Sequence, residues 1–280
     1  MKIFLIVLAV ILSFLLFCFF VFLLLIKTNK NREQTQKFLN VKFAHRGLHD
    51  SERAENSMSA FRSAVEHGFG IELDVRLSSD GELVVFHDDE LSRVTKEEGR
   101  VDSKTAKELS MIKLLGTDDG IPTFKEVLDL VCGKVPLLVE IKEDAGKYDV
   151  TKKTVEILKD YNGDYLIESF NPLALALVKR EIPEVVRGFL SQNFLREKKY
   201  KKPLYFLLQN MLLNIVCRPD FIAFNHAHYK NCTLNLTRAL FKTATFAWTV
   251  RSRKEEDAAY KHGFNSVIFE NYIPEQRYKT

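Results

Sequence analysis

The feature that most constrains the fold is an alternation. Short, nearly uninterrupted apolar runs recur between residues 41 and 269, and amphipathic or polar stretches separate them. The runs at 41–45, 70–77, 135–142, 165–169, 185–190, 221–224, 245–250 and 266–269 read as buried strands. The stretches at 57–67, 123–131, 150–160, 172–180, 233–243 and 254–262 read as helices. The first of these sets Met58, Phe61, Ala64 and Val65 on one face and stops at Gly68, while Pro172 stands in the first turn of the fourth. Regular alternation argues for a parallel α/β sheet. Eight such units in a chain of 280 residues fit a closed (β/α)8 TIM barrel better than an open sheet. A turn at Ser79-Asp80-Gly81 leads into a short returning strand at 82–87. The polar stretch 88–120 lacks a sustained period and reads as a small insertion after the second strand.

Residues 3–26 carry no charge and are almost wholly Leu, Ile, Val and Phe. A membrane span needs ~20 such residues. The run passes directly into Lys27-Thr28-Asn29-Lys30, without the small-residue cleavage pattern of a signal peptide. The expected organisation is an uncleaved transmembrane anchor over 1–27, a polar juxtamembrane linker over 28–40 and one catalytic domain over 41–280. Lys27, Lys30 and Arg32 follow the span and only Lys2 precedes it. The positive-inside rule then leans toward a cytoplasmic domain, although amino-terminal anchors with short basic heads often invert. A net charge of +4 gives no reason to expect a nucleic-acid partner, and no protein partner is implied. Cys18 lies in the span. Cys132, Cys217 and Cys232 are too widely spaced for a disulfide framework or a zinc pair and read as buried thiols. Asn231 and Asn235 begin Asn-x-Thr patterns that matter only in a eukaryotic secretory route.

Glu72 and Asp74 stand two apart on one strand, so they project to the same face, with Arg76 next in the row. Glu140 and Lys142 repeat the device on the third strand. Carboxylates on buried strands are costly unless paired or metal-bound, and adjacent ones repel unless a cation or proton intervenes. A barrel gathers its strand ends at one mouth, so Glu72, Asp74 and Glu140 should converge there. Three hard oxygen donors suit Ca²⁺ or Mg²⁺ rather than zinc. The alternative is a structural ion-pair network with Arg76 and Lys142.

HRG at 45–47, EN at 55–56, E-x-D at 72–74, DG at 80–81 and HD at 87–88 occur in order. LSRVT at 91–95, VEIK at 139–142, SFNP at 169–172 and WTV at 248–250 follow. In these elements the chain resembles the glycerophosphodiester phosphodiesterases over nearly everything beyond about residue 40. The resemblance implies hydrolysis of glycerophosphodiesters to glycerol 3-phosphate and an alcohol. It implies Glu72, Asp74 and Glu140 as ligands of a divalent cation, and His45 and His87 as an acid/base pair without saying which is which. Arg46 and Lys142 would contact the phosphate. Glu55-Asn56, otherwise a helix cap, would help to build the site, and Phe170 and Trp248 would wall the alcohol or belong to the core. The remaining histidines read as surface or core, although His226 could touch substrate.

Ala54 replaces the family's proline, Arg251 its asparagine and Phe269-Glu270 its Thr-Asp. These departures are expected to affect the mouth and substrate choice, not the acid and histidine set. Arg196, Lys198, Lys199, Lys201 and Lys202 precede the apolar runs 204–208 and 211–213. This reads either as a barrel helix with a solvated lead-in or as a dock for anionic lipid, in which case the substrate is a membrane lysophospholipid. Three rivals remain: a lysophospholipase D, a lyase that forms a cyclic phosphate, and a catalytically silent lipid- or partner-binding membrane protein. Retention of all five acids and histidines argues against the last.

Overall fold

A computed structural model describes residues 1–29, 33–144, 146–197, 200 and 202–275. Lys30 and Arg32 near the span, and Lys198, Lys199 and Lys201 of the basic cluster, lie outside the described residues. Among the described residues nine strands form one sheet: β1 (Lys42–Ala44), β2 (Gly70–Leu77), β3 (Leu83–Val85), β4 (Leu137–Ile141), β5 (Tyr165–Ser169), β6 (Val186–Ser191), β7 (Phe221–Asn225), β8 (Ala244–Val250) and β9 (Ser266–Phe269). The pairing runs β1-β9-β8-β7-β6-β5-β4-β2, and β1 also pairs with β2, so the sheet closes. All eight of these strands are parallel, and β3 is appended antiparallel to β2. This is the expected (β/α)8 barrel, with element ends shifted by a few residues.

Strand alternation sorts the side chains. On β2, Ile71, Leu73 and Val75 point outward into the apolar layer beneath the helices. Phe43, Leu138, Leu166, Phe221, Phe246 and Ile268 fill the interior near the amino ends of the strands, all buried. Phe221 and Phe246 stack with centroids 4.3 Å apart. A Cβ at Gly188 would fall 2.1 Å from the Phe221 ring, so only glycine fits there.

Helix Met58–His67 is capped by Ser57, whose Oγ accepts from Ala60 N at 3.1 Å, and it ends at Gly68 with φ 68°. Phe61 and Ala64 are buried from the expected face. The insertion is less irregular than its sequence suggests. Phe86, Leu91, Val101, Leu109, Leu114 and Ile121 make a small core of their own, and helix Ala106–Met111 starts at a Thr105–Glu108 capping box. Of the cysteines only Cys217 is buried. Cys132 and Cys232 are exposed, because they fall at a helix end and a helix start rather than on an inward face.

Helix Lys2–Ile26 is long and apolar enough to cross a membrane, with a mean hydropathy of 3.2. Its last turn lands on the barrel. Asn214 Nδ2 donates to Ile26 O at 2.9 Å, and Arg218 Nη1 donates to Leu24 O at 3.2 Å and Lys27 O at 3.1 Å. These donors satisfy carbonyls that a helix end leaves without partners. The following segment crosses the amino ends of the strands. Thr28 hydrogen-bonds Thr243 just before β8, Asn29 donates to Asp220 just before β7, and Asn40 N donates to Asn265 O just before β9. Phe38 is buried in the interior cluster and plugs that end. The mouth at the carboxyl ends of the strands therefore lies opposite the segment that follows the apolar helix.

Candidate active site

The site begins at the turn after β1. Arg46 (φ 56°) and Gly47 (φ 82°) are both left-handed. This is an uncommon conformation for an arginine and a sign of a turn that something else holds in place. It directs Arg46 N to Glu72 Oε2 at 2.8 Å. A Cβ on Gly47 would meet Ala60 at 2.9 Å, so helix Met58–His67 packs directly on the turn.

Register then assembles the acids. Asp74 pairs with Glu140 across β2–β4, and Glu140 with Glu168 across β4–β5. Ligand oxygens of Glu72, Asp74 and Glu140 lie within 4.8 Å of one another, and all three residues are buried. Lys142 Nζ stands 2.6 Å from Glu140 Oε1 and 3.0 Å from Asp74 Oδ1. Asn56 Nδ2 donates to Asp74 Oδ2 at 2.9 Å, and Arg46 Nε is 3.5 Å from the same oxygen. Arg46 Nη1 also donates to Glu55 Oε1 at 2.7 Å. Glu55 and Asn56 are thus tied into the cluster, and the helix cap is Ser57. Arg76 does not join the acids. It donates to His87 O at 2.9 Å and pairs with Asp89.

Burial, then the charges of Asp74 and Glu140, push the Glu72 carboxyl well above its usual range. Burial likewise pushes Glu140 up to about 7, against the pull of Lys142. Burial also acts on Asp74, but the charges of Lys142, His87 and Arg46 hold it well below the usual range. Lys142 and Arg46 therefore leave Glu72 and Glu140 under-compensated. Three buried carboxylates with unbalanced charge and no sulfur donor fit a hard divalent cation.

His45 Nδ1 lies 2.5 Å from Glu270 Oε2, while its Nε2 is 4.0 Å from Glu72 Oε2. Arg251 Nε donates to Glu270 Oε1 at 2.7 Å. The departures at 251 and 269–270 thus do touch the histidine set, contrary to the sequence expectation. Closure of β9 onto β1 places residue 270 beside residue 45. Burial pushes Glu270 up, but the hydrogen bonds of His45 and His49 and the charges of His45 and Arg251 hold it well below the carboxylate range. His87 Nδ1 lies 2.5 Å from Asp88 Oδ1, and Arg93 ties Asp88 to Glu55. Burial lowers the His45 pKa despite Glu270. Burial, aided by the charges of Lys142 and Arg46 against that of Asp74, lowers His87 to about 4. With both Nδ1 atoms engaged, each ring keeps Nε2 for chemistry.

Both histidines, Arg46, Glu72, Glu140, Lys142, Phe170 and Trp248 line one cavity of about 210 Å³. Phe170 and Trp248 meet edge to face at 5.7 Å and form its apolar wall. Glu168 also lines it. The residue is buried, and its Oε2 has no hydrogen-bond partner. Glu168 escaped the sequence reading although it is the lone acid of an apolar run, in the inward register that Glu140 occupies on the neighbouring strand.

The chain matches the Glycerophosphoryl diester phosphodiesterase family over residues 45–272. It belongs to that family. A glycerophosphodiester phosphodiesterase of Caldanaerobacter subterraneus subsp. tengcongensis is 33% identical over 241 residues, covering 80% of this chain and 91% of the relative. Human lysophospholipase D GDPD1 is 30% identical over 149 residues, covering 49% of this chain and 46% of the relative. An Oleispira antarctica phosphodiesterase solved with sn-glycerol-3-phosphate shares the fold, with a TM-score of 0.70 at 24% identity over 85% of this chain and 95% of that one. The glycerophosphodiester phosphodiesterase of Thermotoga maritima gives a TM-score of 0.64 at 26% identity, covering 82% and 94% of the two chains. Like its family, the chain is a phosphoric diester hydrolase.

Proposed function

We propose that the enzyme hydrolyses glycerophosphodiesters to glycerol 3-phosphate and an alcohol, with His45 and His87 as its acid/base pair. The observation that carries this reading is the single cavity that both rings share with Glu72 and Glu140. Arg46 and Lys142 bind the phosphate by charge, and Phe170 and Trp248 hold the alcohol side. One imidazole takes a proton of the attacking water at Nε2 as the water oxygen bonds to phosphorus, and the other protonates the alkoxide that leaves it. A divalent cation, Ca²⁺ or Mg²⁺, held by Glu72, Asp74 and Glu140, would polarise the phosphoryl oxygen when bound. Glu270 and Asp88 fix the tautomers by engaging Nδ1.

The test offers glycerophosphocholine, glycerophosphoethanolamine and glycerophosphoglycerol to the full chain in detergent, with Ca²⁺, Mg²⁺ or chelator, and follows glycerol 3-phosphate release. His45→Ala and Glu72→Ala serve as controls. Activity that survives chelator, or unchanged turnover in both variants, would overturn the mechanism.

Residues 1–27 act in this reading as an uncleaved membrane anchor, residues 28–40 as the juxtamembrane segment and residues 41–280 as the catalytic domain, with a lean to the cytoplasmic face. The bonds from Asn214 and Arg218 to the last turn of the apolar helix favour its retention. An intact amino terminus on the membrane-bound protein is the expected result. Protease protection of the domain in intact cells tests the face.

A further inference from the structure

The segment after β1 carries two histidines, and only His45 has a part in the reaction proposed above. The left-handed turn at Arg46 and Gly47 folds the chain so that His49 returns to the side of His45. The loop is pinned there: Leu48 N donates to Ala60 O at 3.0 Å and His49 N to Gly47 O at 2.9 Å. Glu270 reaches both rings from the end of β9. One nitrogen of each ring and one oxygen of Glu270 lie within 4.8 Å of one another, and all three residues are partly exposed. The cluster shares no residue with the acids Glu72, Asp74 and Glu140.

Two observations suit this cluster to a metal ion. His49 holds Glu270 only loosely. Its Nε2 is 3.8 Å from Glu270 Oε2, beyond the ~2.7–3.2 Å of a full N–H···O bond, and that nitrogen is shut off from water. A buried nitrogen so poorly bonded is costly. Arg251 meanwhile engages Glu270 Oε1 and leaves Oε2 to the two rings. Two imidazoles and one carboxylate, with water as the fourth ligand, are a recurrent zinc set. Nitrogen donors favour zinc over Ca²⁺ or Mg²⁺. Zinc bonds of ~2.0–2.2 Å set neighbouring ligand atoms ~3.3–3.5 Å apart. Glu270 Oε2 stands 2.5 Å from His45 Nδ1 and 3.8 Å from His49 Nε2, so a small swing of the carboxylate toward His49 evens the two.

We infer that His45 Nδ1, His49 Nε2 and Glu270 Oε2 form a zinc site separate from the acid cluster, and that zinc bound there switches the enzyme off. The inhibitory half of this inference rests on the acid/base role of His45 proposed above. The zinc takes the lone pair of His45 Nδ1, and the proton of the neutral ring moves from Nδ1 to Nε2. His49 binds through Nε2 and keeps its proton on Nδ1. Glu270 is already ionised, so no proton leaves the site. His45 Nε2 then carries a proton and has no lone pair to receive one, so the ring fails as a base. A zinc-bound neutral imidazole is also a far weaker acid than an imidazolium, so it fails as the proton donor too. Either assignment of His45 gives inhibition.

The test titrates Zn²⁺ into the full chain in detergent with Ca²⁺ or Mg²⁺ saturating, and follows glycerophosphocholine turnover as a fraction of each variant's own zinc-free rate. The expected result is inhibition that further Ca²⁺ or Mg²⁺ does not relieve. In His49→Gln the half-inhibiting zinc concentration should rise by ~10-fold or more, at least what loss of even an outer partner of a metal ligand costs. Binding is read independently of activity. Calorimetry should count one zinc more per wild-type chain than per His49→Gln chain, and Glu270→Gln should lose the same zinc. Co²⁺ in place of zinc should give the visible absorption of a four-coordinate site in the wild type and in Glu140→Gln, but not in His49→Gln. Inhibition that Ca²⁺ or Mg²⁺ reverses and His49→Gln leaves unchanged would place the zinc among Glu72, Asp74 and Glu140. It would overturn the site and leave the hydrolase reading standing. Equal zinc counts in all three proteins would overturn it as well. Zinc bound through His49 without inhibition would overturn the switch and the role of His45 together. A chain without turnover on any substrate would remove the hydrolase reading and with it the switch, while the zinc counts and the cobalt spectrum would still decide the site.

Discussion

Glu270 holds His45 across the seam of the barrel, with 2.5 Å between Oε2 and Nδ1. Glu270 stays ionised to low pH, so it accepts, and the proton of a neutral His45 sits on Nδ1. That leaves Nε2 as the nitrogen that can take or give a proton at the substrate. The same carboxylate is gripped by Arg251, which fixes it from the solvent side. A glutamate and an arginine at the mouth thus orient a ring that the strand order alone would leave free to turn.

Glu270→Gln should lower kcat by roughly 10²-fold, the low end of what a positioned acid or base contributes, with little change in KM. The charge of Glu270 raises the His45 pKa. Gln removes that support, so whichever limb of the pH–rate profile belongs to His45 should move to lower pH. A purely structural role would change stability and leave the profile in place, and that outcome would retire the assignment.

His45→Ala and His87→Ala should each cost about 10²–10⁴-fold in kcat, and the double variant far less than the product of the two, because in the proposed mechanism both rings serve one step. Circular dichroism should show all three variants folded. Fully multiplicative losses would mean that the rings act in separate events.

Much of this site was legible because its signals are local. Glu72 and Asp74 share a face by the two-residue period of a strand, and HRG and HD stand beside strands whose apolar runs are plain. Glu168 was legible in principle, as one acid in the apolar run of β5, but no neighbouring motif marked it. Glu270 was not. It meets His45 only because the barrel closes, across 225 positions of sequence, and closure leaves no local pattern. Phe38 was missed for a related reason. It is a single apolar residue in a polar stretch, and its burial depends on the open end of a barrel that no short window contains.

The raised carboxyls make stability depend on pH in a definite direction. Burial and like charges lift Glu140 from 4.5 to about 7 and lift Glu72 also. A group whose folded pKa exceeds its unfolded value contributes fully below the unfolded value and loses that contribution as pH rises through the folded one. The metal-free protein should therefore lose Tm between pH 5 and 8. Ca²⁺ or Mg²⁺ should restore it, more strongly at pH 8 than at pH 6, because at the lower pH the cation must displace protons. Thermal denaturation with and without chelator reads this directly. A Tm indifferent to both pH and cation would mean that the acids form a closed ion-pair network.

Between the barrel and its helix layer, Lys42 on β1 and Glu256 on helix Arg253–Lys261 form an ion pair with side chains 4% and 2% exposed. Tyr272 Oη adds a hydrogen bond to Glu256 Oε2 at 3.1 Å. Lys42→Met would leave a buried carboxylate without its cation. Removing one partner of a buried pair costs ~3–5 kcal/mol. Tyr272 should keep the loss near the lower figure. Lys42→Met with Glu256→Gln should recover part of it, since the stranded charge is gone while the packing remains. Chemical denaturation of the full chain in detergent measures all three free energies. The activity per folded molecule should not change in any of them, because neither side chain lines the cavity that holds the two histidines. A loss below about 1 kcal/mol in the single variant, the range of exposed pairs, would show that water reaches the pair between strand and helix.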